Sequence, residues 1–141
     1  MLRKIPKILP PDLVKYMMEM GHGDTLVIAD ALFPAYSVGQ RVIDCSGVSA
    51  DDMLNAILTL MPLDSYVEKA AEVMQVVEGD AKPEIWNSFK RTLYSFGFDK
   101  DFGFIERFAF YEAAKKSYVV IRTGETASYA NIILHKGNTE N

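Results

Sequence analysis

Cysteine and histidine are scarce in this chain of 141 residues, which has one cysteine and two histidines. A lone cysteine, Cys45, cannot form an intrachain disulfide, which favours a reducing compartment. The sequence also lacks CxxC and HExxH, so nothing indicates a zinc site or a dithiol redox site. GxGxxG, GxxxxGK[ST] and GxSxG are missing too, and these patterns would indicate nucleotide binding or a serine nucleophile. The sequence therefore predicts neither a metal nor a cofactor.

Excess positive charge and long apolar runs are also absent. A formal net charge of −4 and an isoelectric point near 5.1 argue against a nucleic-acid partner. No apolar run approaches the ~20 residues that a bilayer span requires. The opening MLRKIPKILPPDL carries too much charge and proline for a secretory signal. We therefore expect a soluble, cytoplasmic protein without a membrane partner, and 49% hydrophobic residues suit one compact domain over residues 1–141.

Amphipathic helices and short apolar strands are predicted along the chain. Apolar side chains at helical spacing predict helices from Pro10-Pro11, in SADDMLNAILTLMP with Ser49 as its cap, in PEIWNSFKRTLYSFG and over residues 108–116. Apolar runs predict strands at 26–29, 42–45, about 72–77, 118–123 and 131–135. Residues 32–39 are predicted as a loop and Gly103, Gly124 and Gly137 as turns, with Gly124-Glu125 joining the last two strands. This mixture indicates an α/β fold, amphipathic helices around a short-stranded sheet, with the topology left open.

The histidine in EMGHGDTLVIAD is flanked by two glycines. In one interpretation, GHGD is a helix-to-strand connection and His22 is a solvated bystander. In the other, an accessible imidazole lies beside a strand terminus, where it can transfer protons to or from a ligand. Spacing alone favours the first interpretation.

Four further side chains have a polar-site interpretation beside a structural one. Asp30 ends the apolar run and is either a loop cap or a carboxylate at a pocket rim. Asp64 follows the second helix, and its position favours a carboxylate in a loop over a carboxylate in a site. Arg107 and Tyr111 are one helical turn apart, so they can bracket a polar ligand, or they can serve a surface ion pair and the core.

The segment Tyr129-Ala130-Asn131 precedes the last strand. A small alanine between a phenol and an amide lets both groups approach a ligand, although the segment is equally compatible with an ordinary strand entry. Taken without further information, these patterns predict only a small-molecule site that includes His22 and scattered polar residues.

Six segments in order carry a more specific signal: EMGHGDTLVIAD, FPA, MPLDSYV, IERFAFYEAAKK, TGE and YANIILHKG. Together they resemble the fucose mutarotase/ribose pyranase family, and within it the branch that acts on fucose. The ribose branch tends to have histidine at the position of Arg107 and lacks the FAFYE run.

The resemblance implies a cofactor-free enzyme that interconverts the anomers of a free sugar. It also implies an α/β subunit that forms a homo-oligomeric ring, typically two stacked five-membered rings, with sites near subunit boundaries. His22 matches the family's proton-transferring histidine, and Tyr111 is a second catalytic candidate as a relay. The sugar-binding candidates are Asp30, Asp64, Arg107, Tyr129, Ala130 and Asn131.

Two alternatives stay open beside a fucose mutarotase. A ribose pyranase would interconvert pyranose and furanose rings. A non-catalytic sugar-binding ring would serve a transport or regulatory partner. Retention of His22 with Tyr111 favours an enzyme, because binding alone needs no proton shuttle.

Overall fold

Five helices and six strands occur in the computed structural model, which describes residues 1–139. The helices are α1 Pro11–Glu19, α2 Ala35–Val38, α3 Ala50–Leu60, α4 Ile85–Ser95 and α5 Arg107–Lys116. The strands are β1 Thr25–Ala29, β2 Val42–Cys45, β3 Ala71–Met74, β4 Gly103–Ile105, β5 Val119–Thr123 and β6 Ile132–His135. Over the same residues, no helix is both long enough and apolar enough to cross a bilayer.

The strands form one sheet in the order β2-β5-β1-β6-β3-β4. Paired strands are parallel, except that β6 is antiparallel to its neighbours β1 and β3. Strands β1 to β5 therefore end at one edge of the sheet, where β6 begins. We call this the carboxyl edge, and the opposite edge, where β1 to β5 begin and β6 ends, the amino edge.

Helices cover both faces of the sheet. In β1, Leu26 and Ile28 pack in a core with α1, α3 and α4, whereas Val27 and Ala29 pack with α2 and α5. Alternate side chains of a strand point to opposite faces, so β1 is buried on both sides and reads as a continuous apolar run. The result is a three-layer α/β architecture, which confirms the predicted fold class.

Local chemistry explains where the predicted helices begin and end. The Ser49 hydroxyl accepts the Asp52 N–H at 3.2 Å and caps α3. Gly97 follows α4 with φ +88°, a conformation that favours glycine. All four predicted helices are confirmed within a few residues, as are the predicted strands, although the strand expected near 72–77 ends at Met74.

Three predictions about connections were wrong. The predicted loop 32–39 contains the short helix α2, which is too short to show a periodic apolar pattern. Gly103 starts β4 instead of forming a turn, and this three-residue strand is defined by its pairing with β3. Gly124-Glu125 is not by itself the turn between the last two strands: residues 124–131 join them, because β1 lies between β5 and β6.

Candidate functional site

A buried carboxylate lies at the carboxyl edge, where β1 ends beside the start of β6. Asp30 is 4% exposed, and its Oδ2 accepts Nδ2–H of Asn131 at 3.1 Å. The Asn131 Oδ1 in turn accepts the Asp30 backbone N–H at 2.8 Å, and Asp30 Oδ1 accepts the Leu32 N–H at 3.0 Å. Burial raises the pKa of Asp30, while these hydrogen bonds oppose the rise. The two side chains thus hold each other in one orientation at the edge of the sheet.

Helix α5 begins at the same edge and presents the pair predicted from spacing. The Arg107 Nε donates to the Tyr111 hydroxyl at 3.0 Å. Tyr111 is half-buried and its ring packs edge-on against Phe33, with the ring centroids 5.6 Å apart. Arg107 is exposed, and its hydrogen bond to Tyr111 raises its pKa, so the guanidinium stays charged. The pair offers a cation and a phenol oxygen to a polar ligand.

Residues 129–131 complete the carboxyl-edge cluster, which we define as Asp30, Arg107, Tyr111, Tyr129, Ala130 and Asn131. Ala130 is fully buried, and the half-buried Tyr129 packs against the cores on both faces of the sheet. The structure therefore places these six of the eight candidate residues at the same edge of the sheet. The cluster provides carboxylate, amide, guanidinium and phenol groups, all of which form directional hydrogen bonds with hydroxyl groups.

The remaining two candidates lie together at the amino edge. His22 Nε2 is 2.9 Å from Asp64 Oδ1, and the Asp64 side chain is 4% exposed against 38% for His22. The hydrogen bond from His22, joined by one from the Tyr66 backbone N–H, lowers the pKa of Asp64. Asp64 is therefore ionised and accepts the proton on Nε2, which leaves the His22 Nδ1 for a ligand. We call His22 and Asp64 the amino-edge pair.

The glycine flanking His22 on the carboxyl side has a backbone role. Gly23 adopts φ +85°, and its N–H donates to the Lys136 carbonyl at 2.8 Å. A Cβ at Gly23 would have no heavy atom within 4 Å, so the space beside the imidazole is open. The turn thus connects α1 to β1 and also leaves His22 accessible.

Within one subunit the two groups of candidates do not meet. The strand that separates them, β1, has five residues, and at ~3.3 Å per residue its two ends lie on the order of 15 Å apart. His22 lies before β1 and Asp30 directly after it. A small ligand at the carboxyl edge therefore cannot contact the imidazole of the same subunit.

A second imidazole–carboxylate pair joins the two sheet strands β6 and β3 near the amino edge. His135 Nε2 contacts the Glu72 carboxylate, and both side chains are about a quarter exposed or less. Within residues 1–139, no three histidine, cysteine, aspartate or glutamate side chains are grouped as a metal ion would require.

Sequence reasoning missed three residues that support the carboxyl-edge cluster. Glu106 caps α5 by accepting the N–H groups of the next turn at 3.0 and 3.1 Å, and an acid before a helix is a signal that could have found it. Asp80 and Trp86 both hydrogen-bond Tyr129, at separations of 49 and 43 residues along the chain. No local pattern marks such distant partners.

The fold and the two polar groups define an α/β protein with an imidazole–carboxylate pair at one sheet edge and a cluster of hydrogen-bonding groups at the other. The chain belongs to the RbsD / FucU transport protein family, which it matches over residues 3–139. This membership confirms the family predicted from the six sequence segments.

Similar proteins include curated enzymes and solved structures. The chain is 47% identical to the fucose mutarotase of Danio rerio, covering 96% of this chain and 93% of that protein. It is 44% identical to the L-fucose mutarotase of Histophilus somni, covering 99% of this chain and 98% of that protein. The fucose mutarotase of Streptococcus pneumoniae in complex with L-fucose superposes with a TM-score of 0.96 at 47% identity, covering 99% and 100%. The Bacillus subtilis RbsD complexed with D-ribose shares the fold, with a TM-score of 0.71 at 24% identity over 94% and 95%.

Proposed function

We propose that this protein is a cofactor-independent isomerase that interconverts the α and β anomers of L-fucose. The observation that carries the proposal is the likeness to a fucose mutarotase in complex with L-fucose, at 47% identity and a TM-score of 0.96. The relative complexed with D-ribose is much more distant, at 24% identity. Fucose is therefore the better-supported sugar.

The residue types suit the reaction. Anomer exchange opens the cyclic hemiacetal: a proton leaves the anomeric hydroxyl, another reaches the ring oxygen, and the bond between the anomeric carbon and the ring oxygen breaks to give an aldehyde and a free hydroxyl. Rotation about the bond to the aldehyde carbon and reclosure on the other face reverse these transfers. No atom is oxidised and no group is transferred. An imidazole can give and take such protons near neutral pH, so we assign this step to His22, with Asp64 fixing its orientation.

The carboxyl-edge cluster supplies the binding groups. Asp30 accepts hydrogen bonds from sugar hydroxyls, and Arg107 donates charge-assisted bonds to sugar oxygens. Tyr111 is a secondary proton relay because its hydroxyl lies beside Arg107. Tyr129, Ala130 and Asn131 form the wall of the pocket at the start of β6.

A complete site requires two subunits, because the amino-edge pair and the carboxyl-edge cluster lie at opposite edges of one sheet. Unusually exposed apolar side chains flank both: Tyr66, whose ring centroid is 5.4 Å from that of His22, is 83% exposed. Beside the other cluster, Leu32 is 81% and Phe108 65% exposed. A head-to-tail contact between copies would cover these side chains and bring His22 of one copy to Asp30 of the next.

Head-to-tail contacts form a ring where the rotation between copies closes. The family resemblance implies two stacked five-membered rings, so we propose a homo-oligomer, specifically a decamer. Sedimentation analysis at micromolar concentration should show this assembly. A clean monomer of 15.8 kDa would contradict it. We also propose that the protein acts in the cytoplasm, since its one cysteine, Cys45, is free and buried.

A non-catalytic sugar-binding ring is the second candidate function. It is supported by the same exposed apolar side chains at both edges, but it gives no reason for an accessible imidazole hydrogen-bonded to a buried carboxylate.

Saturation-transfer NMR tests the choice between these functions. Irradiating the anomeric proton of one L-fucose anomer should reduce the signal of the other when the protein is added. His22→Ala should lower this exchange by about 10²–10⁴-fold while leaving the circular dichroism spectrum unchanged. Binding of L-fucose without exchange by the wild type would support the sugar-binding ring, and full exchange by His22→Ala would make the imidazole a bystander.

A further inference from the structure

Tyr129 has a backbone conformation that side chains rarely adopt. Its φ is +58°, in the left-handed region where a Cβ is unfavourable. A large aromatic residue remains there only when its surroundings hold it. The structure shows such support at both ends of the residue.

The backbone end is held by α4. The indole Nε1–H of Trp86 donates to the Tyr129 carbonyl at 3.0 Å, and Trp86 is 2% exposed. This contact fixes the peptide between Tyr129 and Ala130. It therefore also helps to place Asn131, which hydrogen-bonds Asp30.

The phenol end is held by the segment between β3 and α4. The Tyr129 hydroxyl donates to Asp80 Oδ2 at 2.7 Å and accepts the Val77 N–H at 3.3 Å. The hydrogen bond to Asp80 raises the pKa of Tyr129, while the Val77 N–H and the nearby charge of Arg107 oppose the rise. With its proton donated to Asp80 and the Val77 N–H on its oxygen, the phenol hydroxyl is engaged within the protein, which leaves the ring of Tyr129 for contact with a ligand.

We propose that Asp80 is a positioning residue for the sugar site: it holds the ring of Tyr129 against the apolar face of the sugar. The proposal rests on the sugar site described under the proposed function. It makes the Asp80 carboxylate and the Val77 N–H the support of the Tyr129 ring, although both residues are exposed and far from the site along the chain. An aromatic ring contributes to sugar binding through its face, and its effect depends on its orientation.

Kinetics of anomer exchange separate positioning from catalysis. Asp80→Ala should raise the KM for L-fucose by about threefold to tenfold, the effect of losing one hydrogen bond, and leave kcat nearly unchanged. Asp80→Asn keeps a side-chain acceptor and should recover most of the affinity. Glu78→Ala, which removes an exposed acid from the same segment, is the matched control and should behave as the wild type.

A double variant tests whether Asp80 acts through the phenol. Tyr129→Phe removes the hydroxyl that donates to Asp80. The double variant should therefore have the same KM for L-fucose as Tyr129→Phe alone. Additive effects of the two changes would overturn the proposal.

A measurement without sugar distinguishes failure of this proposal from failure of the proposed function. In protein labelled with ¹³C at the tyrosine Cζ, the Tyr129 resonance of the wild type should titrate above the ordinary pH for tyrosine. Asp80→Ala should move this titration toward the ordinary range, and Glu78→Ala should not. An unchanged titration in Asp80→Ala overturns the hydrogen bond, whereas a shifted titration with an unchanged KM overturns its role in the pocket. If the Tyr129 titration is shifted but the wild type does not exchange the anomers, the contact between Asp80 and Tyr129 stands. The proposed function and the role of Asp80 in sugar binding, which rests on it, would then be contradicted.

Discussion

Two inactive variants should restore activity when they assemble together, provided that each alteration lies at a different sheet edge. His22→Ala removes the imidazole from the amino edge, and Asp30→Ala removes the carboxylate from the carboxyl edge. Because the edges are on the order of 15 Å apart within one subunit, each site that we propose combines one edge from each of two copies. Co-expression of the two variants therefore produces some sites in which both edges are intact.

The size of the recovery follows from counting. In a random, equal mixture, half of the copies offer an intact carboxyl edge and half of their neighbours an intact amino edge. About one quarter of the sites are then intact in a head-to-tail ring. His22→Ala alone should be reduced by about 10²–10⁴-fold, because the imidazole acts in proton transfer. Asp30→Ala alone should be reduced by about 10-fold to 10²-fold at low L-fucose, because it loses hydrogen bonds to a charged group. Recovery to about a quarter of the wild-type rate would thus be above either parent.

Saturation-transfer NMR of L-fucose measures the rates, and native mass spectrometry verifies that the variants share assemblies. The matched control combines Asp30→Ala with Arg107→Ala, two changes at the same edge. Every site in that mixture carries one defect, so its activity should not exceed the mean of the parents. If mixed assemblies of the opposite-edge variants stay inactive, the shared site is refuted. Recovery in the same-edge control would refute the assignment of the two residues to one cluster.

The remaining predictions concern binding, pH, backbone packing and metals. Arg107→Ala should raise the L-fucose concentration for half-saturation more than it lowers turnover, because the guanidinium holds the sugar through charge-assisted hydrogen bonds; an unchanged concentration dependence would return Arg107 to a surface role. The pKa of Asp64 is lowered in the folded protein, so its ionised form adds stability above the ordinary value of 3.8, and this contribution is lost as the pH falls through the lower folded value. Urea unfolding should accordingly show that Asp64→Asn is less stable than the wild type near pH 6, with the difference shrinking below 3.8; a constant difference would contradict the lowered pKa. Gly124→Ala should destabilise the fold by about 1–3 kcal/mol in the same assay, because a Cβ there would overlap the Ser46 carbonyl oxygen; wild-type stability would show that the two connections move apart easily. Exhaustive dialysis against EDTA should leave anomer exchange unchanged, and a loss that a metal ion restores would overturn the acid–base mechanism.

Local patterns were sufficient for most of the secondary structure. Helical spacing and capping residues such as Ser49 act over one or two turns, so their signal lies within a short stretch of sequence. The continuous apolar run of β1 likewise indicated a strand buried on both faces. The short elements α2 and β4 were missed because four or three residues carry too little periodicity.

The kinds of groups in the site were also present in the sequence. The Arg107 and Tyr111 pair was predicted from helical spacing, and the hydrogen bond between them confirms that they share a face. The six ordered segments indicated the family, and the match over residues 3–139 confirms it. By itself, then, the sequence determined the local elements, the family and the chemical character of the site.

Only the tertiary structure decided how those groups are distributed. Asp30 and Asn131 are 101 positions apart, and they meet because β6 pairs antiparallel to β1 and begins where β1 ends. The same sheet order places His22 with Asp64 at the far edge and brings Asp80 to Tyr129. These contacts depend on which strands become neighbours, a choice set by the packing of the whole sheet between its helices and not by spacing within any one segment.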